Sequence, residues 1–306
     1  MPPNGDLDDA SFWLCRSGIP SYPARAEQLG SDRQHILRVD TVPATSWRSN
    51  ASLRRGSTVL LQLLGNVLKI IFLLDLWLRP RKRYRIPAVS RAWLRARTEK
   101  SIPRIFWQTN GSADVTLSLY VNYLLNRLLT PTFEYRFFDD EACAQFIKHN
   151  CGREIHQCYS RLQIGAARAD LWRVLVLLHE GGIYLDIDAT FSWPPEWFLS
   201  ADQDELFLRD PDRRLTNYCL AAAPGNGTIV AIRDRIAENI TTNTLKSVFD
   251  MTGPTVVNIV AGAAPVTIET AKLVCRQGQL TQKRFQYPDR LKGYWAKEQV
   301  EGPIVK

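Results

Sequence analysis

Two aspartates one residue apart, Asp186 and Asp188, close an apolar, strand-like stretch of this chain. Two carboxylates placed that close in apolar surroundings disfavour joint ionisation unless a cation stands by them. A divalent ion meets the need, since Mg2+ or Mn2+ is commonly held by one or two carboxylates, with substrate phosphate oxygens and water completing the shell. Upstream, Asp170 and Arg173 are three apart and share one face of a helical stretch. Arg173 suits bidentate contact with a phosphate or a carboxylate. Together the four residues fit a site for a phosphorylated substrate. The plain alternatives are a solvated strand end for the aspartate pair and an ordinary intrahelical ion pair for the other two. The same spacing at Asp6/Asp8, Asp202/Asp204 and Asp210/Asp212 falls in polar, turn-like sequence and does not suggest a site.

The elements that must carry these residues are legible around them. Leu171, Val174, Leu175 and Leu178 recur with helical spacing, and Trp172, Val176 and Leu177 cover most of the remaining circumference, which predicts a helix buried on several sides. Gly181-Gly182 ends it, where a positive φ is cheap only without a β-carbon. IYLDID at 183–188 alternates with period two, sending Ile183, Leu185 and Ile187 to one face and Tyr184, Asp186 and Asp188 to the other.

The stretch ARADLWRVLVLLHEGGIYLDIDATF at 167–191 resembles the DXD sugar-binding region of glycosyltransferase family 32, and is similar to the core of the large clostridial glucosylating toxins. Four further stretches agree in order: IPRIFWQTN at 102–110, FEYRFFDDEACAQFI at 133–147, TNYCLAAAPGNGTIVAIRDRIAENI at 216–240 and MTGPTVV at 251–257. The resemblance implies the GT-A fold and transfer of a sugar from a nucleoside-diphosphate donor, with retention of anomeric configuration, to a glycan or lipid-linked acceptor. It implies Mn2+ or Mg2+ as cofactor, Asp188 as direct metal ligand on the donor pyrophosphate, and Asp186 as partner of the ribose or the metal. Asp170 and Arg173 stand where the family's helix contacts the donor sugar. The family's first strand ends close to IPKIIHQxW, whereas here Trp107 takes the usual histidine slot and Asn110 the later aromatic one. Trp107 is therefore the candidate for stacking on the base. Asn217, Tyr218 and Thr252-Gly253-Pro254 are expected to face sugar or acceptor.

The chain has 306 residues, 45% of them hydrophobic, enough for a sizeable core. Residues 1–100 hold 17 Lys and Arg against 8 Asp and Glu, whereas 101–306 hold 22 against 23, so the basic character belongs to the N-terminal third. Three regions are expected: a polar, poorly ordered 1–56; an apolar helix with a basic linker helix over 57–100; and an α/β domain over 101–306. In that domain strand and helix patterns alternate up to Asp188, which predicts a mostly parallel sheet flanked by helices, with ligands beyond the carboxyl ends of the strands.

The apolar run at 57–78 is 22 residues long, interrupted by Lys69 and Asp75, with a polar stripe at Thr58, Gln62, Asn66 and Lys69. It could span a bilayer, lie in its interface or pack on the domain. The basic RPRKRYR at 79–85 and nearby Trp77 favour a membrane surface, with the catalytic domain on the cytoplasmic side in a bacterial setting, or a type II Golgi membrane protein in a eukaryote. No nucleic-acid-binding module accompanies the basic run. Met1 to Ala10 has no signal-peptide pattern. The cysteines form no CxxC pair, and packed thiols are expected.

Two rival functions fit part of the pattern. IYLDIDAT also satisfies the motif of aspartate-nucleophile phosphohydrolases, with Asp186 as nucleophile, Asp188 as acid/base and Thr190 on phosphate. A transferase-like fold that binds sugar nucleotide or glycan without turnover is the other.

Overall fold

A computed structural model of the chain describes residues 51–96, 98–282, 286–288 and 295–306. The polar region expected over 1–56 lies outside them except for its last residues, which open a helix. In chain order, the helices longer than one turn are α1 (Ala51–Leu78), α2 (Leu117–Leu129), α3 (Asp140–Asn150), α4 (Arg153–Arg161), α5 (Gly165–Glu180), α6 (Gly227–Thr242), α7 (Pro254–Ala261) and α8 (Trp295–Glu301). The strands are β1 (Tyr84–Arg85), β2 (Val89–Ser90), β3 (Ile105–Thr109), β4 (Asp114–Val115), β5 (Glu134–Phe138), β6 (Gly182–Leu185), β7 (Ala189–Phe191), β8 (Glu205–Arg209), β9 (Leu215–Ala222), β10 (Ile268–Thr270) and β11 (Cys275–Gln277).

A seven-stranded sheet, in the order β10-β8-β9-β6-β3-β5-β2, forms the centre. Strands β5, β3 and β6 run parallel, as do β8 and β10, while β9 and β2 run against them. The architecture is the α/β one expected, with a mostly parallel sheet in which only β9 and β2 run the other way. Alternating side chains divide the core. Trp107 and Tyr184 join α5, α6 and α7 on one face, whereas Phe106, Ile183 and Leu185 join α2 on the other.

Residues 86–100 do not form the expected linker helix. Pro87 has no N–H to give, and the neighbouring backbone is committed elsewhere: Ile86 N–H donates to the Ala113 carbonyl at 2.9 Å, and Trp93 and Leu94 both donate to that of Pro131, at 2.7 and 2.9 Å. Arg127 secures this path from beneath, fully buried, donating to the carbonyls of Arg91 and Phe133, each at 3.0 Å, with its guanidinium over the Trp93 ring.

Helix α1 packs on the body through Leu68, Phe72 and Leu76, which meet Leu117, Val121 and Leu125 of α2 and Leu280. Among the described residues no helix is long and apolar enough to cross a membrane.

Candidate active site

Helix α5 and strand β6 are joined with almost no slack. Gly181 and Gly182 both take positive φ, +66° and +105°. A β-carbon on Gly182 would lie 2.5 Å from the Ile105 carbonyl oxygen, so only glycine lets β6 sit this close to β3. Strand β6 stops at Leu185. The Ala189 N–H then returns to the Asp186 carbonyl at 2.9 Å, and Asp186-Ile187-Asp188 forms a tight turn before β7. The two aspartates therefore converge through a turn rather than by strand alternation.

The back of this turn is held by α2. Asn122 donates to the carbonyls of Ile187 at 2.7 Å and Ala189 at 2.9 Å. Asn126 donates to Ala189 and accepts from Phe191 N–H, each at 2.9 Å. Because β7 has left the main sheet, its backbone needs these partners, and buried amides supply them. Thr190 points the same way: its buried hydroxyl donates to Asn122 and does not line the cleft. Thr190 therefore cannot bind phosphate there, which removes one leg of the phosphohydrolase reading.

The front of the turn opens into a cleft of about 2050 Å³ lined by Asp170, Arg173, Asp186, Asp188, Asn217 and Tyr218, with Gly253 and Pro254 on its wall. Arg173, almost wholly buried, bridges the carboxylates of Asp170 and Asp186 at 3.0 Å each and donates to the Asn217 carbonyl. It also lies 4.7 Å from the centre of the Tyr184 ring. Asp170 accepts from Asn217 at 2.9 Å and from Thr252 at 3.0 Å. Asp186 shares one oxygen, Oδ1, between Arg173 and the Tyr184 hydroxyl at 2.8 Å. Its Oδ2 and the Asp188 Oδ1 receive the side-chain amide of Gln277, at 3.3 and 3.1 Å.

Burial dominates the protonation chemistry. It raises Asp186 to about 7, against the pull of Arg173 and with a further push from Asp188. Asp188 is also raised by burial, with Gln286 and Gln277 hydrogen bonds opposing it. Burial likewise raises Asp170, opposed by Arg173. For Arg173 burial works against the charge, but Asp186, Tyr184 and Asp170 outweigh it and hold the guanidinium firmly protonated.

Two carboxylates converging on one amide donor are of the ligand type that could hold a hard cation. Among the described residues no group of three acidic, histidine or cysteine side chains could hold a metal. A cation on Asp186 and Asp188 would thus draw further ligands from substrate, water or amide oxygens.

Trp107 is not where the sequence suggested. It is 0% exposed, donates to the Gly181 carbonyl at 2.8 Å and packs edge-on against Trp172. On a central strand of the sheet it faces the α5 layer, so it is a core residue and does not stack on a nucleotide base.

The C-terminal part of the chain reaches the cleft through residues that the sequence did not single out. Strand β11 pairs antiparallel with β7 and brings Gln277 onto the aspartates. Gln286 and Tyr287 line the cleft, and the Tyr287 hydroxyl donates to Asn110 at 2.9 Å.

Residues 117–206 match the family model described as a glycosyltransferase sugar-binding region containing a DXD motif. The match takes in the helix that carries Asp170 and Arg173 and the Asp186-Ile187-Asp188 turn. An initiation-specific alpha-1,6-mannosyltransferase of Schizosaccharomyces pombe is 28% identical over 160 residues, covering 45% of this chain and 40% of the relative. An uncharacterized glycosyltransferase of Acanthamoeba polyphaga mimivirus is 38% identical over 56 residues, covering 18% of this chain and 22% of the relative. The chain thus spans less than half the length of either curated relative. Among solved structures, the PaToxG glycosyltransferase aligns with TM-score 0.44 and 16% identity, over 68% of this chain and 79% of that one.

Proposed function

We propose that the protein is a divalent-metal-dependent glycosyltransferase. It moves a sugar from a nucleoside-diphosphate donor to a glycan or lipid-linked acceptor, with retention of configuration, in the synthesis of surface polysaccharide or glycoconjugate. The observation that carries this reading is the pairing of Asp186 Oδ2 and Asp188 Oδ1 on one amide donor at the cleft, beside a buried, fixed Arg173.

Mn2+ or Mg2+ held by Asp188 and Asp186 would supply charge neutralisation to the departing diphosphate. The chain's own residues do the rest. Arg173, tied on three sides, places a positive charge near the leaving oxygens without reorganising during reaction. Asp170, oriented by Asn217 and Thr252, offers a fixed acceptor wall for donor-sugar hydroxyls. As the bond from the anomeric carbon to the diphosphate oxygen breaks, its electron pair leaves with the diphosphate. A new bond forms to the acceptor oxygen, whose proton passes to the departing group. The alpha-1,6-mannosyl transfer named for the Schizosaccharomyces pombe relative makes a mannosyl donor the first to try. The basic N-terminal third favours a membrane surface as a second partner, with the catalytic domain cytoplasmic in a bacterial setting or on a type II Golgi membrane protein in a eukaryote.

The test is nucleotide release from a panel of UDP- and GDP-sugars with Mn2+. Slow hydrolysis of a subset is expected, abolished by EDTA and by Asp188→Ala. Release indifferent to chelation would remove the metal from the mechanism, and saturable donor binding without release in the presence of acceptor extract would make the protein a binding module.

A further inference from the structure

Helix α1 is apolar on the side that faces away from the protein. Leu63, Val67, Ile70, Leu74 and Trp77 run along it at spacings of four and three, each between 53% and 78% exposed. Leu64, Ile71 and Leu78 flank them and are also exposed. At about 100° per residue these positions span an arc of about 140°. The opposite side is already used, by Phe72 and its neighbours against α2, with Gly65 so close to Gln279 that a β-carbon would lie 2.6 Å from its backbone oxygen. Leu124 and Leu128 of α2, exposed beside that contact, widen the outward apolar surface. Such a surface is far beyond the scattered single apolar residues that water tolerates.

We propose that this outward face of α1 docks flat on an anionic lipid bilayer, its apolar side chains entering the headgroup boundary while the helix remains packed on the protein. The inference deepens the membrane placement above and is independent of the transfer chemistry. Charge selects the occupant. Immediately after the helix, Arg81, Lys82 and Arg85 are exposed, and the carboxylate beside Arg85, Asp114, is a distant 3.5 Å partner at the surface. An apolar arc ending in cations and an outward tryptophan is what an anionic interface accepts. A second copy of the chain would favour a narrower seam with charged flanks, whereas the flanks here are leucine and isoleucine.

Flotation of the full chain with vesicles of phosphatidylcholine, with and without phosphatidylserine, tests the proposal. Binding is expected with the anionic vesicles and should weaken with added salt. Ile70→Glu with Leu74→Glu, both at exposed positions, should lower it by about tenfold or more. Arg81→Gln with Lys82→Gln should lower it only on the anionic vesicles. If the wild-type chain stays unbound, the membrane placement itself is wrong. If it floats but the glutamate variant floats equally, another surface carries the lipid. If light scattering shows a dimer that the glutamate variant dissociates, a second copy covers the face; either of these last two results overturns the proposal.

Discussion

The side-chain amide of Gln277 donates to Asp188 Oδ1 at 3.1 Å, across 89 residues of sequence. The same amide reaches Asp186 Oδ2, so one neutral donor serves both acids of the DXD turn. A cation held by both acids, as proposed above, would compete with that amide.

Gln277→Ala should therefore raise Mn2+ affinity, by about tenfold if the displaced pair of hydrogen bonds costs about 1.4 kcal/mol. The metal-free protein should at the same time melt at a lower temperature, since the two carboxylates lose their shared donor. Isothermal titration with Mn2+ reads the first effect and a thermal melt in EDTA the second. Weaker binding would mean that the amide oxygen is itself a ligand.

Asp186 gives the site a pH dependence of defined sign. Its folded value of about 7 lies above the ordinary 3.8, so the fold binds the proton more tightly than the unfolded chain does. Its contribution to stability is therefore greatest at acid pH and is lost as pH rises from the ordinary value through about 7. In EDTA, Asp186→Asn should flatten that slope in melts recorded across this window. Cation binding runs the other way, because it needs the ionised acid, and Mn2+ affinity should fall as pH drops below about 7.

Removing Arg173 leaves Asp170 and Asp186 buried without their cation. Arg173→Met should cost about 3–5 kcal/mol in urea unfolding, the scale for breaking a buried ion pair. A loss below about 1 kcal/mol, as for a surface pair, would contradict the burial described for this triad.

Trp107 offers a test of the corrected assignment. Trp107→Phe loses the hydrogen bond to Gly181 and some core volume, and should destabilise the protein by about 1–3 kcal/mol. Its Kd for a nucleoside diphosphate should stay within about twofold, because the ring does not reach the cleft. A large change in Kd with little change in stability would restore the tryptophan to the binding site.

Local pattern carried much of this site. The helical spacing of Leu171, Val174, Leu175 and Leu178, the glycine pair and the alternation of Ile183, Tyr184 and Leu185 each correspond to what the chain does there. Asp170, Arg173, Asp186, Asp188 and Asn217 all reach one cleft. What local pattern could not supply is any contact made by chain passing back over the site. Gln277 and Gln286 come from a polar stretch without periodicity, and their place depends on β11 finding β7. Trp107 belongs to the same class of error in reverse, since its role turns on which face of the sheet looks at the cleft. One signal was there in the sequence: Asn122 and Asn126, four residues apart on a mostly apolar helix, have the spacing of a buried amide ladder. Which side of α1 packs on the body likewise had no local signature, because apolar residues lie on both the covered and the exposed side.

The asparagine ladder fixes where adaptation to a ligand can take place. The peptide groups of 187–191 are tethered from behind by α2, whereas the acids in front are met by side chains, Gln277 on both and Arg173 and the Tyr184 hydroxyl on Asp186. Loading and unloading then become a matter of a few torsions in glutamine and aspartate, with the main chain beneath them acting as an immobile floor. Exchange of a ligand at the acids need not disturb the hydrophobic layers on either side.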